Sequence, residues 1–282
     1  MITRREVLRR LGLMAAGTVG ISEFACAGTD VVTGPLGPLG LQLYTLRREM
    51  AQGVDATFAR VAEIGYREVE FAGYYGRSPA EIRIGLAVAG LSSPSAHVDM
   101  NAVFTDWPNT LDIANTIGHR YLVVPSVPRA MSVTLDHWRA VADIFNRAAA
   151  EARAAGIQFA YHNHASEFLP IDGQIPFDLL CEQADPDLVQ IELDLFWIVH
   201  GGGDPMAFFE RWPGRVPMVH VKDRTEAGIM TEVGAGIIDW EEIFGARARA
   251  GMRHYFVEHD QPVEGFESVS ASFDYLSRLG PG

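Results

Sequence analysis

Lysine is nearly missing from this 282-residue chain: Lys222 is the only one, and every other basic side chain is an arginine or a histidine. Positive charge is scarce as a whole, with 23 basic residues against 36 acidic ones and a formal charge of -13. That balance removes the continuous cationic face a phosphate-backbone binder needs, so nucleic acid is excluded as a general partner. Cysteine is scarce too, at two residues. Cys181 lies in Leu179-Leu180-Cys181 and reads as a small core residue, and with Cys26 set aside no internal disulfide can brace the domain. No apolar run is long enough to span a bilayer. What remains, 48% hydrophobic and 21% charged residues, is the composition of a folded chain with a substantial core.

Residues 1–27 differ in kind from the rest. Thr3-Arg4-Arg5-Glu6-Val7-Leu8, a moderately apolar run over 11–21 and Ala25-Cys26-Ala27 follow the order of a charged head, an apolar stretch and a small-x-small cleavage site. The pattern predicts a twin-arginine export signal over 1–27, a Gly- and Pro-rich tether over 28–38 and a single domain over 39–282. The expected partner during export is the twin-arginine translocase and the expected location is the periplasm. Lipid anchoring through Cys26 ranks second, because Glu23 stands where a lipoprotein signal favours a leucine-like residue. Twin-arginine export carries chains already folded, which suits one without disulfides.

From Leu39 onward short apolar runs alternate with longer amphipathic segments at an even pitch. Strand candidates are 39–44, 68–71, 93–98, 121–125, 158–162, 189–194, 216–221 and 255–259. Helical spacing covers 54–64, 79–89, 109–117, 134–155, 176–182, 205–211, 240–250 and 265–279. Eight of each is the count for an α/β (β/α)8 TIM barrel. The glycines at 65, 90, 118, 156 and 251 stand at helix stops, and Asp239 stands as an N-cap before Trp240. An open doubly wound sheet is the alternative, but it predicts a Gly-rich phosphate turn after the first strand, and Tyr44-Thr45-Leu46-Arg47 has no glycine.

In a parallel barrel the chemistry gathers where strands end, and here most strands end in a polar residue. Glu70, His97, His162 with His164, Asp194, His220 with Lys222, and Glu258 with His259 close strands two, three, five, six, seven and eight. Side chains two apart share a face, so Asp194, His220 and Glu258 from adjacent strands can converge. Their mixed oxygen and nitrogen donors suit a divalent ion such as Mn, Zn, Co or Mg. Glu192 and His259 read singly as core or rim ion pairs. Lys222 can act as an acid or base near a metal, or hold a substrate oxygen. Trp197, His200 and Arg224 are expected in loops as substrate contacts, Trp197 against the apolar face of a sugar ring.

Gly40-Leu41-Gln42-Leu43-Tyr44-Thr45, Tyr66-Arg67-Glu68-Val69-Glu70-Phe71, Tyr161-His162-Asn163-His164, Val219-His220-Val221-Lys222-Asp223, Gly234-Ala235-Gly236-Ile237-Ile238-Asp239-Trp240 and Val257-Glu258-His259-Asp260 resemble the sugar phosphate isomerase/epimerase superfamily with its xylose-isomerase-like barrel. The resemblance covers essentially all of 39–282. It implies a divalent metal held by Asp194, His220 and Glu258, and a carbohydrate substrate contacted by Glu70, His97, His164, Trp197, His200 and Arg224. Typical members add a glutamate on strand five as ligand and as one of two opposed acid/base groups. Here that position is His162, a metal or proton-transfer candidate, with Glu167 five residues on as a substitute carboxylate. The related keto-inositol dehydratases also carry a histidine-rich motif on strand five.

The expected chemistry is proton removal beside a carbonyl to give an enediolate, with Glu258, His162, Glu167 and Lys222 as catalytic candidates. Reprotonation gives an isomer or epimer; loss of a β-leaving group gives dehydration or cleavage of a 3-keto-glycoside. A non-catalytic envelope sugar-binding protein and an endonuclease IV-like phosphodiesterase are the readings from other classes. The second is opposed by the acidic surface. Assembly into a homo-oligomer is left open by the sequence.

Overall fold

The computed structural model describes residues 36–279, so the expected export signal and all but the last three residues of the expected tether lie outside them. Leu36 is buried in the hydrophobic core, which makes the end of that tether part of the domain. Eight parallel strands close into a barrel: β1 (Leu39–Gln42), β2 (Glu68–Phe71), β3 (Ser92–His97), β4 (Tyr121–Val124), β5 (Gln158–His162), β6 (Val189–Asp194), β7 (Met218–Val221) and β8 (His254–Val257). The last strand returns to the first through the pairs Leu39↔Tyr255, Gly40↔Phe256 and Leu41↔Val257. The architecture is the (β/α)8 barrel that the βα alternation predicts.

Strand alternation divides the core in two. On β5, Phe159 and Tyr161 face outward and pack on Phe145, at ring distances of 5.1 and 5.3 Å. Ala160 faces inward and joins Tyr121, Val123, Met218 and Phe256 in a small cluster inside the barrel. Gly40 makes room for that plug, since a Cβ there would lie 2.5 Å from the Phe256 ring. The outer sleeve follows helical periodicity. Helix Leu135–Ala154 buries Trp138, Val141, Ala142, Phe145, Ala148, Ala149 and Ala152, one stripe along five turns. Helix Pro79–Ala89 opens with a reciprocal cap between Ser78 and Glu81 and stops at Gly90 in the left-handed region.

Several boundaries differ from expectation for local reasons. The expected helix over 240–250 splits into Trp240–Gly245 and Arg247–Ala250 after Gly245, a poor helix former, while Asp239 does cap the first part by accepting from Glu242 N. Strand seven starts at Met218 because Pro217 has no N–H for the ladder; its carbonyl accepts from Arg253 and His254 instead. Helices Arg47–Gln52, Met100–Thr105 and Leu195–His200 fill loops at the strand ends and are too short for periodicity to mark.

Register is shifted at one place that matters for the site. Between β2 and β3 the pairs run Glu68↔Ser92 and then Glu70↔Ser95, so β3 carries a bulge at Ser93 and Pro94. After β7 a short hairpin, Asp223–Arg224 with Met230–Thr231, begins the longest loop at the mouth. Asp223 pins that loop by accepting from Gly234 N (2.9 Å), Gly236 N (3.2 Å) and Trp240 Nε1 (2.9 Å). Any Cβ at Gly236 would collide with the Asp223 carboxylate, so the loop closes around it only with glycine there.

Candidate active site

The polar strand ends meet in two layers inside the mouth. In the upper layer Asp194 and His220 are register partners on β6 and β7, and His220 Nδ1 lies 2.7 Å from Glu258 Oε2 and 3.9 Å from Asp194 Oδ2. His162 Nε2 approaches the same Asp194 oxygen at 3.7 Å. Lys222 closes the ring, with Nζ at 2.9 Å from Asp194 Oδ2, 2.6 Å from Glu258 Oε2 and 2.9 Å from Asp260 Oδ1. In the lower layer His220 Nε2 lies 2.6 Å from Glu70 Oε2 and 3.2 Å from Glu192 Oε2. His97 Nε2 stands 2.7 Å from Glu192 and 3.3 Å from Glu70, and His162 Nδ1 is 3.2 Å from Glu192.

Local structure fixes several of these groups. Asp194 Oδ1 caps helix Leu195–His200 by accepting from Trp197 N at 2.8 Å, which leaves Oδ2 to face the mouth. Its backbone is clamped to β5 by Asn163, whose Oδ1 accepts from Asp194 N at 2.9 Å. Asn163 points away from His162 and His164, as strand parity requires, and spends its amide on this clamp.

Burial and mutual charge set the protonation states. Burial alone disfavours the charged form of every group here, and the neighbours decide the outcome. Against that cost, the carboxylates of Glu192, Glu258 and Glu70 raise His220 well above the usual histidine range. Burial and the nearby His220 charge push His162 well below it, so His162 is the neutral imidazole of the set. Glu258 and Glu192 fall well below the usual carboxylate range despite burial, Glu258 through Lys222 and His220, Glu192 through His220 and His97. Asp194 rises through burial, with Lys222 opposing, and Glu70 rises through burial and the Glu192 charge. Lys222 is held above the lysine range by Asp194, Glu258 and Asp260 against its burial. Three carboxylates around Lys222 therefore favour its ammonium form.

A cleft of about 550 Å³ opens onto the upper layer, and its walls include Tyr44, His97, His162, His164, Lys222 and Glu258. Asp99, Asp260 and Gln261 also line it and were not singled out from the sequence. Asp260 is the third partner of Lys222, signalled only by its position two residues after Glu258. Other candidates lie elsewhere. Glu70 and Glu192 are fully buried beneath the cleft. Of the two alternatives for Glu192, a core or a rim ion pair, the structure has the core one, shared among His97, His162 and His220. Glu167 accepts from Tyr161 OH and Ser166 Oγ, each at 2.7 Å, on the outward side of β5. Trp197 stands behind His164 at a ring distance of 5.6 Å, with His200 5.5 Å further along, and Arg224 Nη1 donates to Val199 O. These three support the wall rather than line it. His259 stays at the rim, where its Nδ1 accepts from Gln261 N.

A profile described as xylose isomerase-like TIM barrel matches residues 58–276, most of the barrel from the first full helix to the last. The chain belongs to this family. Among its relatives are enzymes that rework sugars. An inosose dehydratase of Geobacillus kaustophilus is 25% identical over 272 residues, spanning 80% of this chain and 87% of that protein. A sugar phosphate isomerase/epimerase structure from Parabacteroides distasonis is 28% identical with a TM-score of 0.77, covering 89% of this chain and 96% of the other. The IOLI protein, solved with a zinc atom, shares the fold at a TM-score of 0.68 and 14% identity, over 84% of this chain and 95% of its own. The chain is an enzyme of this xylose isomerase-like family, with both isomerase and lyase relatives.

The donors of the upper layer fit a divalent cation. Asp194, His220 and Glu258 each offer one ligand atom within 4.8 Å of the others, and all three are buried. Asp194 Oδ2 has no hydrogen bond, although Lys222 Nζ stands 2.9 Å away out of line, and Glu192 Oε1 below also lacks one. A buried carboxylate oxygen without a donor costs about 1–3 kcal/mol, and a cation bound beside it would offset that cost.

Proposed function

We propose that this enzyme removes a proton beside the carbonyl of a keto sugar or keto-cyclitol and then expels a β-oxygen, a metal-dependent lyase of the dehydratase type. Asp194, His220 and Glu258 would hold the ion, and His162 Nε2, left off it, keeps its lone pair for the substrate proton. Such an ion supplies charge stabilisation for the enediolate that forms when the proton leaves. His162, neutral and on the cleft wall, accepts the carbon-bound proton. The C–H electron pair becomes the new C=C bond as the β C–O bond breaks, and the departing oxygen takes a proton from the Lys222 ammonium. Asp260 and Glu258 keep that lysine charged and aimed at the cleft.

The observation that carries this reading is the end of β5. An epimerase exchanging protons on opposite faces of one carbon is best served by two opposed carboxylates. Here β5 presents an imidazole, and the nearby Glu167 is tied to Tyr161 and Ser166 behind the strand. A neutral base and a cationic acid form an unsymmetrical pair suited to elimination. The similarity to inosose dehydratases supports the same outcome, and the similarity to a sugar phosphate isomerase/epimerase favours simple reprotonation. Incubation of Mn²⁺-loaded protein with inososes and 3-keto-glycosides in D₂O, followed by NMR, separates them. An unsaturated or diketone product is expected; an epimer deuterated at the carbon beside the carbonyl, with no loss of the β-oxygen, would overturn the lyase reading.

Export by the twin-arginine route belongs to the same proposal, supported by Arg4-Arg5 and Ala25-Cys26-Ala27. Replacing both arginines with lysine is expected to trap the protein inside the cell; undiminished export of that variant would refute it. Among the described residues no helix is long and apolar enough to cross a membrane.

A further inference from the structure

We propose that Glu70 is a positioning residue that acts through His220, choosing which ring nitrogen carries the hydrogen; the proposal rests on the cation reading above. Glu70 has no access to the cleft, and both its carboxylate oxygens are occupied. Oε2 accepts from Gln42 Nε2 at 2.7 Å and Oε1 from Ser95 Oγ at 2.5 Å. The three residues sit at one level of the barrel, because Gln42↔Glu70 and Glu70↔Ser95 are register partners across β1, β2 and β3. The carboxylate is thus held in place before any histidine is considered.

Against this fixed acceptor stands His220 Nε2, at 2.6 Å. A neutral imidazole has one N–H and one lone pair. With Nε2–H donated to Glu70, the lone pair is left on Nδ1, the nitrogen that faces Asp194 and Glu258. The opposite tautomer would press a lone pair against a buried carboxylate and direct an N–H at the cation. His97 stacks on His220 with ring planes 6° apart and centroids 5.2 Å apart, which restrains ring tilt. Glu192 is the weaker partner of the same N–H at 3.2 Å and spends its shorter contact, 2.7 Å, on His97. A carboxylate behind a metal-bound histidine typically contributes 10–100-fold in metal affinity.

The test measures Zn²⁺ affinity by chelator competition and the ¹⁵N spectrum of histidine in the Zn²⁺-loaded protein, for wild type, Glu70→Gln and Ser95→Ala. Wild type is expected to bind zinc through His220 Nδ1 with hydrogen on Nε2. Glu70→Gln should lose roughly 10–100-fold in affinity and shift the His220 nitrogen signals, and Ser95→Ala, which only loosens Glu70, should lose a few-fold. Unchanged affinity and spectra in Glu70→Gln would overturn the proposal. So would a rise in KM with affinity intact, since that marks a substrate contact, or zinc on His220 Nε2, which would make the lower layer the metal site. Wild-type protein that takes up no zinc at all would instead sink the cation reading on which this one stands.

Discussion

At the N-terminal end of the barrel His254 Nδ1 meets Glu68 Oε2 at 2.7 Å, with the rings of Tyr121 and Phe256 packed against the imidazole. Two residues further along the same strand, Glu70 opens a cluster at the other end that holds five carboxylates, three imidazoles and one ammonium. Among the described residues the His254–Glu68 pair has no second partner of this kind, and each side chain satisfies the other. The mouth has a surplus of acid, two oxygens without hydrogen bonds and a cleft above it. One barrel interior thus builds a closed pair at one end and an open site at the other, both from carboxylates and imidazoles, with one ammonium added at the mouth. Number and access separate them: a matched pair stabilises, and an unmatched set next to solvent can receive a cation.

Substitutions at the two ends should break this contrast in opposite ways. Asp194→Ala is expected to lose divalent-metal uptake and to lower turnover by roughly 10³-fold or more, measured by elemental analysis and steady-state kinetics, with near-UV circular dichroism unchanged. Metal retained at full stoichiometry would remove Asp194 from the site. Next comes Lys222→Met, which keeps length but not charge. Loss of a general acid typically costs 10²–10⁴-fold in kcat, and a substrate with a better leaving group should recover part of it.

Smaller effects sharpen the same comparison. Glu68→Gln should destabilise the protein by about 1–3 kcal/mol in denaturant unfolding and leave kcat/KM unaltered, because its partner His254 sits at the closed end. Divalent metal at about 100 times its Kd should stabilise wild type by about 2.7 kcal/mol, read as a rise in Tm reversed by chelator, and Glu68→Gln should keep that increment. An effect of comparable size concerns His119, buried outside the barrel between Tyr74 and Ser93 and pushed down to about 4 by that burial. The unfolded chain takes up this proton near 6.5 and the native one only near 4, so stability falls as pH drops through that window, by about 3 kcal/mol at most. In His119→Gln the slope of stability against pH between those values should be shallower; an equal slope would show that other groups carry it.

How much of this was legible in the sequence depended on whether an inference was local. Strand-end polarity and two-residue parity suffice to place Asp194, His220 and Glu258 together, since they need only alternation and the barrel rule, and the family resemblance adds His162 to them. They also make Glu192 share a face with Asp194, yet a carboxylate two residues below a ligand has no sequence mark that tells a rim ion pair from a hub for three histidines. Gln42 and Ser95 were invisible for a stronger reason. Their contact with Glu70 spans 28 and 25 residues and depends on strand register, which composition and spacing do not report. Glu167 is the opposite case, a carboxylate at a convenient spacing whose two oxygens accept from the Tyr161 and Ser166 hydroxyls behind the strand.

The bulge in β3 decides more than the local ladder. Ser93 and Ser95 are two apart and should face the same way, yet Ser93 Oγ reaches His119 outside the barrel and Ser95 Oγ reaches Glu70 inside it. The extra residue works as a half-period phase shift, after which His97 also points inward. Were the same sequence to run unbulged from Ser92, Pro94 would stand opposite Glu70, and the serine hydroxyl and the imidazole would both turn toward the helices. Deleting one residue between Ser92 and Ser95 would restore plain alternation with Ser95 still opposite Glu70, whereas adding one between Ser95 and His97 would turn that histidine toward the helices while changing no residue that touches the upper layer, a reminder that the parts list of a catalytic centre includes the pitch of the strand that delivers it.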